Sequence, residues 1–153
     1  MIAVLQRVNH ATVRVAGQAV GEIGTGLLIL LGVGKGDVRE DADRLAAKIA
    51  ACRIFCDEAG KMNRSLADIG GGALVVSNFT LLADYSHGNR PSYFDAAQPL
   101  EADDLYRYFC DVLRPRVATL ATGEFGADMK ISMEADGPVT ITMDSKILKE
   151  GRR

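Results

Sequence analysis

The chain has 153 residues, of which 48% are hydrophobic and 25% charged, with a net charge of −2 at pH 7. That size and balance suit one globular domain with a real core and exclude a disordered chain. The mild negative charge argues against a protein that lives mainly on phosphate contacts, so any nucleic-acid contact must be local.

Met1–Arg7 meets polar residues too early for a secretory signal. The longest apolar run, Leu27–Val33, contains Gly32 and is too short to span a bilayer. A cytoplasmic protein with no membrane partner is expected. Cys52, Cys56 and Cys110 are odd in number and form no Cys-x-x-Cys pair, which fits reduced thiols and offers no zinc site. His10 and His87 are the only histidines and lie far apart. Neither a His-based triad nor a metal centre is supported, and no cofactor is expected. Local basic groups are Lys61 with Arg64, Arg114 with Arg116, and the tail Lys146, Lys149, Arg152 and Arg153. Solvated surface charge is the plainer reading of each group.

In chain order, residues 2–8 alternate and predict a strand. Ala11–Val15 and Ala19–Ile23 flank Ala16-Gly17-Gln18, a hairpin signal. Leu27–Val33 is apolar on both sides and predicts a central strand buried on two faces. Gly34-Lys35-Gly36-Asp37 lacks the spacing of a phosphate-binding loop. Asp37 followed by Glu40 suggests instead a capping box. The helix it opens runs to about Ala51, with Ala42, Leu45, Ala46 and Ile49 on its apolar face. Arg53-Ile54-Phe55 reads as a strand and Asp57–Lys61 as an exposed turn. Ser65–Ile69 is ambiguous, Gly70-Gly71-Gly72 is a break, and Ala73–Val76 is a short buried strand.

Ala83–Gln98 reads as a long loop, of a length that is often functional. A second helix follows Pro99, with Leu105, Tyr108, Phe109, Val112 and Leu113 at helical spacing, and Pro115 ends it. Val117–Ala121 is a strand or an extended connection, Thr122–Asp128 a loop, and Met129–Met133 a strand. Glu134–Thr140 reads as a strand end, a turn at Gly137-Pro138, then a second strand. The expected fold is α+β, a strongly bent or barrel-like, mainly antiparallel sheet with two main helices in a single domain.

Three stretches could carry chemistry. Ser77-Asn78-Phe79-Thr80 sits where a buried strand gives way to a loop. Freed backbone N–H groups there could form an oxyanion hole, and Thr80 could orient a nucleophile. Ser77 and Thr80 could equally satisfy backbone groups at the strand end. No base lies nearby in sequence to activate either hydroxyl. Phe125 and Met129 could hold a flat base or belong to the core. Gly137 and Pro138 would present bare carbonyls, because glycine has no Cβ in the way and proline has no N–H.

Taken together, the opening Ile2–Val8, Ser77-Asn78-Phe79-Thr80-Leu81, Phe125-Gly126-Ala127-Asp128-Met129 and Asp136-Gly137-Pro138-Val139-Thr140 resemble the D-aminoacyl-tRNA deacylases in order and spacing. The resemblance covers essentially the whole chain. Two positions depart from the family pattern: Asn78 stands in place of glutamine, and Ala135 in place of asparagine before Asp136-Gly137-Pro138.

The resemblance implies an enzyme that hydrolyses the ester between a D-amino acid, or glycine mischarged on tRNA(Ala), and the terminal adenosine of tRNA. It implies a homodimer that binds aminoacyl-tRNA and not DNA. Gly137 and Pro138, joined by a cis peptide, would reach into the partner's pocket and exclude L-side chains. The adenosine 2′-OH would assist attack. Main-chain N–H groups around Phe79 and Thr80, supported by Ser77, would stabilise the oxyanion. Asn78, Phe125 and Met129 would contact the substrate.

Overall fold

β1 (Ile2–Val15) is one strand through both segments that the sequence suggests are separate. Irregularities in its pairing at Arg7 and Asn9 bend it without ending it. A computed structural model describes residues 1–148. Lys149, Arg152 and Arg153 of the basic tail lie outside the described residues. β1 turns through Ala16 and Gly17, both at positive φ (49° and 79°), into β2 (Gln18–Ile23). Two residues at positive φ give the tight hairpin whose twist matches its strands.

β3 (Gly26–Gly32) runs antiparallel to β1. Its other edge is parallel to β6 (Gly72–Ser77), which in turn pairs in parallel with β7 (Thr119–Thr122). The order is β2-β1-β3-β6-β7, with β8 (Met129–Asp144) also on β1. β2 and β7, the two ends, lie against each other and nearly close the bent sheet into a barrel. The expected architecture holds, with two parallel steps that strand patterns alone did not reveal. Between β3 and β6 the chain makes α1 (Arg39–Ala51), a small hairpin of β4 (Phe55–Cys56) and β5 (Met62–Arg64), and α2 (Leu66–Ile69).

Local chemistry moves several boundaries. The expected capping box at Asp37 and Glu40 does not form. Asp37 Oδ2 instead accepts from Gly34 N–H at 2.6 Å, and Val38 takes the N-cap position. Asp41 Oδ2 then accepts from Val38 N–H at 2.9 Å. Burial opposes the charge on Asp41, but this bond and those from Ser145 and Arg44 hold its carboxyl below the usual range. The strand expected at Arg53–Phe55 starts at Phe55, because Ile54 N–H is used in a turn back to Cys52 O. The ambiguous Ser65–Ile69 is a single helical turn, closed by reciprocal Ser65–Asp68 bonds of 2.9 and 3.1 Å.

The core has two parts. Leu27, Ile29 and Leu31 of β3 face Leu45 and Ile49 of α1 and Phe109 and Leu113 of α3 (Pro99–Leu113). Leu28 faces the other way, into the barrel with Val8, Val13, Ile23, Leu74 and Val76. The central strand is therefore buried on both faces, as its unbroken apolar run predicts. Each such side chain contributes roughly 1.5–3 kcal/mol on burial. α3 buries a wider stripe than expected, including Ala102, Tyr106 and Cys110. Tyr106 Oη donates to Val75 O at 2.7 Å and so ties α3 to β6.

The expected turn at Gly137-Pro138 is not a hairpin. β8 stays paired with β1 on both sides of it, Ala135 opposite Val8 and Thr140 opposite Gln6. Residues 136–139 oppose Arg7 alone and form an outward excursion within one long strand. The strand continues because β1 offers partners beyond the excursion, so the chain has no reason to reverse.

Candidate functional site

The strand β6 ends at Ser77, and the chain enters a 3-10 turn, Phe79–Leu82. Gly32 of β3 makes room for that turn. A Cβ there would stand 3.0 Å from Leu81 Cβ and 3.1 Å from Asn78 O. Asn78 N–H donates to Leu31 O at 2.8 Å and Leu81 N–H to Asn78 O at 3.3 Å. The N–H groups of Phe79 and Thr80 open the turn and have no backbone acceptor among the described residues. They are donors in need of an acceptor.

These residues form one wall of a cavity of about 480 Å³. Ser77, Asn78 and Phe79 face Phe125, Gly126, Ala127 and Met129 across it. Tyr93, Ala96, Ala97 and Gln98 of the long loop close a third side, with Pro99 and Ala102 of α3. Phe79 and Tyr93 meet edge to face, with ring centroids 5.1 Å apart. Phe125 leans on Tyr106 with centroids 6.1 Å apart. The lining is polar at Ser77 and Asn78 and apolar around Phe125 and Met129, which suits a ligand with one flat apolar end and one polar end.

No carboxylate, imidazole, thiol, ammonium or guanidinium lines this cavity among the described residues. Tyr93 is its one ionisable side chain. Behind Phe125 lies a second cavity of about 330 Å³, bordered by Tyr106, Cys110, Arg107 and Arg114. Burial pushes the Cys110 thiol up to about 12 and raises the Tyr106 hydroxyl, so both stay protonated at neutral pH. Neither reaches the larger cavity. No group of three or more metal-ligating side chains occurs among the described residues.

The structure brings Ser77, Asn78, Phe79, Phe125 and Met129 to one place. Thr80 stands beside them, and its hydroxyl donates to Asn78 Oδ1 at 2.6 Å instead of lining the cavity. Gly137 and Pro138 lie outside this chain's cavity, exposed on β8. The peptide bond between them is cis, with Gly137 at φ 125°. Sequence reasoning singled out the long loop by its length but missed Tyr93, Ala96, Ala97 and Gln98 as wall residues. Ala96 and Ala97 carry no chemical signal of their own, and nothing in the sequence says that the loop folds Tyr93 and Gln98 towards β6.

Residues 4–144 match the family model described as D-Tyr-tRNA(Tyr) deacylase. A D-aminoacyl-tRNA deacylase of Ruegeria pomeroyi is 56% identical over 144 residues, covering 94% of this chain and 99% of the relative. One of Variovorax paradoxus is 57% identical, covering 94% and 98%. Among solved structures, a c-Myc DNA unwinding element binding protein superposes with a TM-score of 0.89 at 36% identity, covering 94% of this chain and 98% of that one. A probable eukaryotic D-amino acid tRNA deacylase superposes at 0.80 with 15% identity, a likeness of fold that covers 93% and 97%. The chain belongs to the D-Tyr-tRNA(Tyr) deacylase family.

Proposed function

We propose that this chain hydrolyses the ester that joins a D-amino acid to the terminal adenosine of tRNA, releasing the free amino acid and the tRNA. Its relatives carry that activity in their names. The observation that carries the mechanism is that, among the described residues, no carboxylate, imidazole, thiol or amine lines the cavity to act as a base. The adenine packs against Phe125 and Met129, and the ester carbonyl points at the N–H groups of Phe79 and Thr80. Water adds to the carbonyl carbon, the bond to the ribose oxygen breaks, and that oxygen leaves as a hydroxyl. The adjacent 2′-OH supplies the proton relay that the protein lacks. Aminoacyl esters are labile, so orientation and two oxyanion donors suffice. One such donor is worth about 3 kcal/mol in comparable sites.

Stereoselection comes from a second copy of the chain. Gly137 and Pro138 project from β8, whose outer edge pairs with no other strand among the described residues. The same strand exposes Ile131 and Met133, apolar surface that a partner subunit would cover. In the homodimer, the carbonyls of Gly137 and Pro138 rim the partner's cavity and collide with an L-side chain. A D-side chain points away, and glycine passes. The enzyme works in the cytoplasm, where its substrate is. The DNA element in one relative's name suits this chain poorly, given its net charge of −2.

Deacylation of matched D- and L-aminoacyl-tRNA tests the reading. Rapid release of the D-amino acid with the L-ester untouched is expected. Equal rates on both esters would overturn the stereoselective rim, and no release from either would overturn the activity.

A further inference from the structure

Beyond the cavity mouth stands a feature that hydrolysis of the ester does not use. The long loop is pinched by an antiparallel bridge in which Asp84 and Ser92 exchange two backbone hydrogen bonds of 2.8 Å each. Its base is fixed to the body by a second bridge, Gly34 to Ala96, and by Lys35 N–H on Asp95 O at 2.9 Å. Residues 85–91 are thus a tip held on a firm stalk, and that stalk supplies Tyr93 and Ala96 to the cavity wall.

The tip's composition is unusual for a solvated loop. Tyr85, on the tip, is 82% exposed, and Phe94, on the stalk, is 74% exposed. Lys35 Nζ sits 3.3 Å over the Phe94 ring, which places a cation on an aromatic face. Residues 85–91 include His87 and Arg90 and contain no acid. Tyr93, the residue before Phe94, lines the cavity and meets Phe79 edge to face. Exposed rings interleaved with basic groups on a loop that also walls a cavity suit single-stranded nucleic acid recognition, because every base has a face to stack and every linkage a phosphate to neutralise.

We propose that this tip and its stalk, with Lys35 beside them, hold the unpaired nucleotides that precede the terminal adenosine of the tRNA. Tyr85 and Phe94 stack their bases, and Arg90 and Lys35 meet their phosphates. The proposal rests on the deacylase reading above, since it is the adenosine in the cavity that directs the preceding nucleotides out through the mouth. Stacking is indifferent to sequence, so the tip serves any tRNA.

The test compares two substrates, D-aminoacyl-tRNA and the D-aminoacyl ester of adenosine alone. For Tyr85→Ala, the ratio of kcat/KM on the first to kcat/KM on the second falls about tenfold. Tyr85→Phe, which keeps the ring, restores the ratio. For Arg90→Gln, the salt dependence of tRNA binding flattens by about one phosphate contact. Unchanged ratios, or equal losses on both substrates, overturn the proposal while leaving the deacylase reading in place. An unsubstituted protein inert on both esters overturns that reading and the proposal with it.

Discussion

Arg7 Nε donates to the backbone carbonyl of Asp136 at 3.1 Å and lies 3.3 Å from Asp136 Oδ2. The guanidinium is buried, and its Nη1 donates to Ile54 O at 2.8 Å. One side chain of β1 therefore ties the excursion at 136–139 to the turn before β4. Removing it leaves two carbonyls short of a donor, at about 1–3 kcal/mol each. Arg7→Ala is expected to lower stability by roughly 3 kcal/mol in urea unfolding. Arg7→Lys, a point charge without the planar fork, keeps only part of this. Because the excursion carries Gly137 and Pro138, the Lys variant is also expected to discriminate less between D- and L-aminoacyl-tRNA. A full D/L ratio in a folded Lys variant would separate Arg7 from selection.

Phe125 is the partition between the larger cavity and the one behind it. Phe125→Ala is expected to merge the two and to remove the face proposed for the adenine. Loss of one stacking partner typically costs 1–3 kcal/mol. The expected effect is a KM about tenfold higher, with a smaller change in kcat, measured by steady-state deacylation. A change confined to kcat would place the ring in the chemical step and not in binding.

How much of this was legible in the sequence depends on what each residue had to reveal. The unbroken apolar run of β3 announced a strand buried on both faces, and the structure puts Leu27, Ile29 and Leu31 on one side and Leu28 on the other. The apolar spacing of the two main helices was equally plain. Parallel pairing of β6 was hidden, because a strand's own residues do not record which neighbour it meets. Gly137-Pro138 suggested a hairpin because those residues dominate turns. Only the register against β1 shows a strand that bulges and goes on. At the site, Ser77 and Phe79 were visible as chemistry, while Ala96, Ala97 and Gln98 became walls only once the loop was folded over them.

Gly32 sets how closely the Phe79–Leu82 turn approaches β3. Gly32→Ala would put a Cβ 2.6 Å from Leu82 Cδ2, which must move aside, and forces Leu81 and the Asn78 carbonyl to give way by a few tenths of an ångström. Overpacking of this kind costs typically 1–3 kcal/mol. It also displaces the N–H groups of Phe79 and Thr80 from their aim. The expected outcome is a kcat on D-aminoacyl-tRNA at least tenfold lower, with KM little changed, since misplaced oxyanion donors act on the transition state. An equal rise in KM would point to the adenine side of the cavity instead.

The cysteines differ sharply in reactivity. Burial pushes the Cys110 thiol up to about 12, and it lies on the buried face of α3. At pH 8 it is therefore fully protonated as well as covered, and the thiolate is the reactive form. Cys56 is exposed. Alkylation of the native protein at pH 8, followed by peptide mass spectrometry, is expected to label Cys56 within minutes and spare Cys110 until the chain is unfolded. Fast labelling of Cys110 would mean that α3 lifts from the sheet in the native state.

Thr80 offers the sharpest division between a protein nucleophile and an RNA-assisted reaction. Its hydroxyl is engaged with Asn78 Oδ1 at 2.6 Å, and among the described residues no carboxylate or imidazole lines the cavity to activate it. In the proposed reaction Thr80 contributes its backbone N–H, which survives any side-chain change. Thr80→Ala is therefore expected to keep kcat within about threefold, the loss of one exposed hydrogen bond being worth well under 1.5 kcal/mol. Removing the substrate's own hydroxyl should do far more. A D-aminoacyl-tRNA ending in 2′-deoxyadenosine is expected to react at least a hundredfold more slowly, the scale of a lost general acid–base group. If the deoxy substrate is cleaved at full rate while Thr80→Ala is dead, and quenched reactions carry an acyl group on Thr80, the nucleophile is the protein's and the role assigned to the RNA is wrong.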